Sequence, residues 1–200
     1  MTFFDKLEAT IGRNRSLLCL GLDPSPRFLP HPDRDRGWVT DAQLADLGQW
    51  LRALVAETRD LVCAYKPTLD LYLALGPEGL ALLESLLREL PADVPVILDA
   101  KHANGITSGL FAQVAFDRWR VDALTVAEFA GLDQVAPFLT YPDRALFALC
   151  YTENPSARPL LDRQTGLALE PSKQEPFWRD LIRDIETLSL IHISEPTRPY

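Results

Sequence analysis

Five short apolar runs, at residues 16–23, 61–67, 94–101, 122–129 and 144–152, alternate with helical periodicity and predict a parallel α/β protein. Each run is apolar through consecutive rather than alternate positions, the mark of strands covered on both faces. Eight such units close a barrel in roughly 250 residues, so about five units in 200 residues predict an incomplete (β/α)8 TIM barrel, with roughly three strands unaccounted for. Right-handed crossovers and sequential neighbours then place the five strands parallel, in the order 1-2-3-4-5, with the helices outside.

The helices are signalled independently. Phe3, Phe4, Leu7 and Ile11 predict an N-terminal helix packed under the sheet. Leu44, Leu47, Leu51, Leu54 and Val55 form one apolar stripe, and Thr40 with Gln43 makes a capping box at its start. Pro77 suits the first position of a helix carrying Leu80, Leu83, Leu87 and Leu90, and Pro91 stops it. A third helix carries Leu110, Phe111, Val114 and Trp119. A short fourth covers 132–139, and a fifth runs from Phe177 through Leu181, Ile182 and Ile185. Residues 24–39 and 157–176 read as loops. The final stretch, 188–200, has a strand-like Leu-Ser-Leu-Ile-His-Ile-Ser followed by Glu-Pro-Thr-Arg-Pro-Tyr, and it is similar to a translated sequencing adapter. The expected organisation is therefore one partial barrel over 1–187 and a non-native tail over 188–200.

Twenty basic against 28 acidic residues give a formal charge of -8, which argues against a nucleic-acid or anionic-membrane surface as partner. No apolar run approaches the roughly 20 residues of a membrane span, and no signal-peptide pattern opens the chain, so a cytoplasmic protein is expected. Cys19, Cys63 and Cys150 sit in apolar runs as small hydrophobes, and neither a disulfide nor a zinc framework follows. His31, His102 and His192 lack metal-ligand spacing, so no metal is expected. Trp38, Trp50, Trp119 and Trp178 are assigned to packing.

In parallel α/β proteins, chemistry gathers at the carboxyl ends of the strands. Three successive runs end in charge: Gly21-Leu22-Asp23-Pro24, Ala64-Tyr65-Lys66-Pro67 and Leu98-Asp99-Ala100-Lys101. Strand side chains alternate, so Asp99 and Lys101 share a face. The chain has four lysines, Lys6, Lys66, Lys101 and Lys173, and two of them stand at these strand ends. A lysine beside aspartates stays protonated and serves as a positioned acid, so the expected chemistry is proton delivery. Each piece has a plain structural reading: Asp23 as a turn residue, Lys66 snorkelling over an edge, Asp99 with Lys101 as an ion pair. Charge at three adjacent strand ends favours a site over the three separate readings.

These residues carry a resemblance. Gly-Leu-Asp-Pro at 21–24, Ala-Tyr-Lys-Pro at 64–67 and Leu-Asp-Ala-Lys-His at 98–102 resemble successive strand-end signatures of orotidine 5′-phosphate decarboxylase, supported by Val-Ala-Pro-Phe-Leu at 135–139 and Asn-Pro-Ser at 154–156. The wording is similar to the bacterial form in which this domain precedes orotate phosphoribosyltransferase in a bifunctional UMP synthase. The resemblance implies orotidine monophosphate as substrate, UMP and CO₂ as products, a homodimer, and no metal or organic cofactor. It further implies that Asp23 and Lys66 hold the ribose hydroxyls, that Lys101 protonates C6 of the pyrimidine, that Asp99 orients Lys101, and that Ser108 reaches the ribose.

The family pattern Asp-x-Lys-x-x-Asp departs here at its last position, where Asn104 removes a charge, and Ala103 stands where Gly is usual. Glu153 stands where the family tends to carry a Ser facing the pyrimidine. The phosphate grip of the family comes from strands seven and eight, beyond the five units visible here, so weak or absent activity of this 200-residue chain is expected. Two alternatives accompany the decarboxylase reading. One is a catalytically silent relative that binds a nucleotide or a partner, and the other a metal-dependent sugar-phosphate lyase on the same barrel. Loss of the final acid at 104 counts against the second.

Overall fold

The computed structural model describes residues 1–23, 39–127, 129, 131–165 and 175–192, with 132 and 187–192 described by backbone alone. Helix α1, Phe3–Asn14, opens on a reciprocal cap in which Thr2 Oγ1 accepts from the Asp5 amide at 3.2 Å and the Asp5 carboxylate accepts from the Thr2 amide at 2.8 Å. Strand β1 is Cys19–Gly21, β2 Ala64–Lys66, β3 Ile97–His102, β4 Ala123–Val126 and β5 Ala145–Ala148. β1 pairs with β2, and β3 with β4 and β5, all parallel. Isolated parallel bridges from Tyr65 to Val96 and from Thr68 to Asp99 join the two sets, so the five strands follow one another in chain order. The result is a parallel α/β arc, an incomplete barrel.

Two apolar layers explain the arc. Leu22, Tyr65, Val96, Leu98, Leu124 and Val126 pack outward against Leu47, Leu51 and Val55 of helix α2 (Asp41–Thr58) and Leu83 and Leu86 of helix α4 (Pro77–Glu89). On the concave side Ala64, Ile97, Ala123 and Ala145 meet Phe3, Leu7 and Ile11, so α1 closes the amino-terminal end of the arc. The Thr40–Gln43 capping box and the first-turn position of Pro77 stand as expected from the sequence.

The strands are shorter than the apolar runs, because the run ends are spent on turns. Helix α3, Leu69–Leu73, was unforeseen: five residues are too few to show a period, and Tyr72 anchors it by donating to the Leu22 carbonyl at 2.6 Å. The third helix is α5, Ser108–Ala112, widening into a π turn over Gln113–Arg118. The helix expected over 132–139 is two 3₁₀ turns, Leu132–Gln134 and Phe138–Thr140, since Pro137 denies the run an amide in its middle. The loop expected over 157–176 holds helix α6 (Arg158–Leu161) and an antiparallel pair, β6 (Gln164–Thr165) with β7 (Glu175–Pro176). Helix α7, Phe177–His192, runs past the boundary drawn at 187, so the strand-like start of 188–200 is helical through His192. Residues 24–38, with His31 and Trp38, and the end of the chain from 193 lie outside the described residues.

Two side-chain assignments change. Cys19 is exposed and Cys63 buried, with Cys150 between them, because Cys19 lies on the first strand of the arc, which among the described residues pairs on one side only. Trp50 is 55% exposed on α2 instead of packed. Among the described residues, no helix is long and apolar enough to cross a membrane.

The amino-terminal end of the arc is tied by charge. Asp122 accepts from Lys6 Nζ at 2.7 Å, from the Val96 amide at 2.9 Å and from Arg144 Nη1 at 3.4 Å, which binds α1, β3 and the start of β5 to one carboxylate. Lys6 and Asp122 side chains are each 12% exposed. Asp122→Ala therefore strands a shielded ammonium and a buried amide. It is expected to destabilise the chain by about 3 kcal/mol in urea unfolding, well beyond an exposed-pair deletion such as Arg88→Ala.

Candidate active site

Strand alternation points Lys66, Asp99 and Thr125 into the concave face at its carboxyl end, with Gly21 level with Lys66 and with Ala64, Ile97 and Ala123 one pleat beneath. Asp99 is the hub. Its Oδ2 lies 3.3 Å from Lys66 Nζ, both its oxygens lie 2.8 Å from Lys101 Nζ, and Oδ1 accepts from Thr125 Oγ1 at 2.7 Å. The Asp99 side chain is 12% exposed. Burial pushes its carboxyl up, but the bonds from Lys101 and Thr125 and the charges of Lys101 and Lys66 prevail and hold it below its ordinary value of 3.8.

That depression fixes the sign of a pH effect. A carboxyl lowered by folding contributes stability that is present above its unfolded-state pKa and is lost as pH falls through the folded value. Urea midpoints are expected to drop between pH 5 and pH 3, and Asp99→Asn is expected to show a shallower drop over this interval. Equal slopes for the two chains would contradict the cause assigned to Asp99.

Lys101 reaches Asp99 through an unusual backbone. Pairing of β3 with β4 advances from Leu98–Leu124 to His102–Val126, four residues on one strand against two on the other. Within this bulge Lys101 has φ +42°, a left-handed conformation that few non-glycine residues adopt. Its amide leaves the ladder and donates to Thr125 Oγ1 at 2.8 Å. Thr125 thus holds both the carboxylate and the backbone of the lysine. Sequence reasoning passed over it, because an uncharged threonine inside the 122–129 run carries no mark of its own until β4 is laid beside β3.

Asp23 stands next to this hub. Its Oδ1 accepts from the Thr68 amide at 3.0 Å, and Thr68 is bridged to Asp99 along the backbone. A Cβ on Gly21 would come within 2.8 Å of Asp23 Oδ2, so glycine gives the carboxylate room to fold back over β1. Asn104 and Ser108 sit differently. Asn104 Oδ1 accepts from the Ile106 amide at 3.2 Å and so closes its own turn. Ser108 is fully buried, donates to the Asn104 carbonyl at 2.8 Å and lies 3.1 Å from His102 Nε2, which turns its hydroxyl into the loop rather than out to the concave face. Glu153 is exposed in the segment after β5. Among the described residues no group of three His, Cys, Asp or Glu side chains is arranged to hold a metal.

A family model described as "Orotidine 5′-phosphate decarboxylase / HUMPS family" matches residues 16–174. The chain belongs to this family. It is 44% identical over 185 residues to the bifunctional enzyme PyrF/PyrE of Nostoc sp., covering 92% of this chain and 36% of that protein. It is 41% identical over 174 residues to the orotidine 5′-phosphate decarboxylase of Thermomicrobium roseum, covering 86% of this chain and 59% of the relative. A Toxoplasma gondii crystal structure assigned as an orotidine-monophosphate decarboxylase superposes with a TM-score of 0.85 at 32% identity, covering 100% of this chain and 63% of that one. The chain thus spans between about a third and three fifths of the length of these relatives. In this chain the run Asp99-Ala100-Lys101 is the segment on which the hub is built, Lys66 joins it from the preceding strand end, and Asp23 bonds the Thr68 amide beside it.

Proposed function

We propose that this chain carries the reacting centre of an orotidine 5′-phosphate decarboxylase, which converts orotidine monophosphate to UMP and CO₂. The observation that carries the reading is the Asp99 carboxylate gripped by Lys101, Lys66 and Thr125 at the carboxyl end of the arc. In the reaction the bond from C6 to the carboxylate breaks, CO₂ leaves, and the electron pair stays on C6. Lys101 gives its ammonium proton to that carbon and regains one from water. Asp99 keeps the ammonium aimed, and its own ionised state sets a negative charge where the substrate carboxylate departs, so the fixed charges act before the reaction begins. Asp23 and Lys66 are the ribose partners, and Asn104 occupies the last position of the catalytic motif. The chemistry asks for no metal or organic cofactor, since charges on the chain supply it.

The whole protein acts as a homodimer in the cytoplasm on this reading, with a phosphoribosyltransferase fused to the decarboxylase as in the bifunctional relative. Ile106 and Leu110, 96% and 66% exposed beside the Asn104 loop, support a subunit contact there. The test is loss of orotidine monophosphate absorbance by a chain extended with the further strands of a relative. A second reading, a catalytically silent nucleotide-binding relative, is favoured by the Asn104 carboxamide bonded to its own turn and by the inward Ser108 hydroxyl. Nucleotide binding without turnover in the extended chain would support it.

A further inference from the structure

The left-handed backbone of Lys101 needs restraint on both sides, and Thr125 supplies it on one: the Thr125 hydroxyl takes the Lys101 amide. The restraint on the other side is the next residue. The His102 carbonyl accepts from the Ala127 amide at 2.9 Å, which pins the backbone to the end of β4. Its ring lies flat on Phe111, with centroids 4.6 Å apart and planes 15° apart, and edge-on to buried Phe138 at 5.6 Å. From that slot Nε2 reaches the Asn104 carbonyl at 3.0 Å and the Ser108 hydroxyl at 3.1 Å. A carbonyl only accepts, so the proton on this side of the ring belongs to Nε2. The Ser108 hydroxyl donates to the same carbonyl at 2.8 Å.

We propose that His102 is a positioning residue for Lys101: its ring ties the Asn104 loop back to the strand end and so holds the lysine backbone in the conformation that delivers Nζ to Asp99. Without the Nε2–H bond, residues 103–107 are free to move outward. Lys101 then relaxes to the extended region that L-residues prefer, and its ammonium leaves the carboxylate. Among the described residues the ring bonds Asn104 and Ser108 and not Asp99, and it acts through its neighbour. This role rests on the decarboxylase reading for its consequence in catalysis, but the restraint itself is measurable without turnover.

The experiment titrates the Asp99 carboxyl by ¹³C NMR in the 200-residue chain and in two variants. His102→Phe keeps an aromatic ring on Phe111 and deletes the donor. His102→Gln places an amide N–H at a similar reach and deletes the ring. In the parent chain Asp99 titrates below its ordinary 3.8, held there chiefly by the bonds from Lys101 and Thr125 against the opposing effect of burial. His102→Phe is expected to raise it by about one unit, because a hydrogen bond and an adjacent charge are withdrawn, whereas His102→Gln leaves it within about 0.3 of the parent. An unmoved Asp99 in His102→Phe overturns the proposal, and so does an equal rise in both variants.

Glu89, which the Arg52 guanidinium and Ser85 hydroxyl hold down at about 2 on the far helices, monitors the fold in the same spectra. If it returns to the ordinary range in His102→Phe, Ser108→Ala carries the test. That change withdraws the hydroxyl that bonds the same carbonyl and lies against His102 Nε2, while the Thr107 amide keeps its bond to the carbonyl at 3.3 Å, and a rise of about half a unit in Asp99 is expected, with no rise overturning the proposal. In an extended chain that decarboxylates, His102→Phe is expected to lower kcat about tenfold with KM within about twofold, and His102→Gln to recover most of the loss. An extended chain that stays inactive even after Asn104→Asp, while its parent shows the Asp99 pattern, retracts the proposed function and leaves the positioning role standing.

Discussion

Lys101→Met in an extended chain that decarboxylates is expected to lower kcat/KM by about 10⁴-fold, the combined effect of removing a general acid and a fixed charge. Methionine matches the length of the lysine stem but has no proton to give, so the carbanion at C6 loses its donor. Asp99 loses the partner that lies 2.8 Å from both of its oxygens and keeps only Lys66 at 3.3 Å and the Thr125 hydroxyl. Lys101→Arg separates the two effects: a guanidinium retains the charge but does not release its proton, so nucleotide binding is expected to survive and turnover is not. Lys66→Met is expected to act mostly on KM, since that lysine meets Asp99 at greater distance and is assigned to the ribose. The measurement is steady-state decarboxylation alongside binding of UMP. Turnover by Lys101→Met within about tenfold of the parent would remove the lysine from the reaction.

The strand-end charges were legible because strand geometry is periodic. Lys66 and Asp99 face inward by alternation and meet at 3.3 Å, whereas Lys101 reaches Asp99 through the bulge and its left-handed backbone, which alternation does not supply, and Asp23 bonds the Thr68 amide rather than these tips. The same periodicity reached the covering helices, whose leucine stripes and caps depend on neighbours three and four residues away. Features resting on single bonds across the fold were not legible. Thr125 reads as an ordinary strand threonine until β4 is laid beside β3, when its hydroxyl meets the Lys101 amide. The bulge is invisible for the same reason, since it is a mismatch between two strands and leaves no mark in either one alone. Ser108 is the instructive case. The resemblance implies a ribose contact for it, but a sequence match says nothing of direction, and its hydroxyl donates to the Asn104 carbonyl within the loop. Helix α3 and the 3₁₀ turns fall below the length at which a helical period shows.

The 200-residue chain by itself is expected to show no useful decarboxylation of orotidine monophosphate, and Asn104→Asp alone is not expected to change that. Five parallel strands form an arc with β1 and β5 each paired on one side among the described residues, and Leu17, Leu18 and Phe147 are exposed along it at 80%, 52% and 44%. On the decarboxylase reading the phosphate grip lies on later strands, and remote binding energy of that kind normally lowers the barrier at the reacting carbon. An ungripped substrate therefore gains little from a better charge array. In a chain extended by about three β/α units from a relative, Asn104→Asp is expected to raise kcat by roughly 10²-fold, while KM changes far less. The carboxamide at 104 supplies no charge and is bonded to the Ile106 amide, whereas a carboxylate would place a second negative charge on the motif beside the departing CO₂ and strengthen the hold on Lys101. Four proteins decide the matter, the short and the extended chain, each with and without Asn104→Asp, followed by loss of substrate absorbance. Robust turnover by the short unsubstituted chain would show that neither the later strands nor the charge at 104 is needed. An extended chain that binds UMP yet stays inactive after the substitution would transfer the family fold of this chain from catalysis to nucleotide binding.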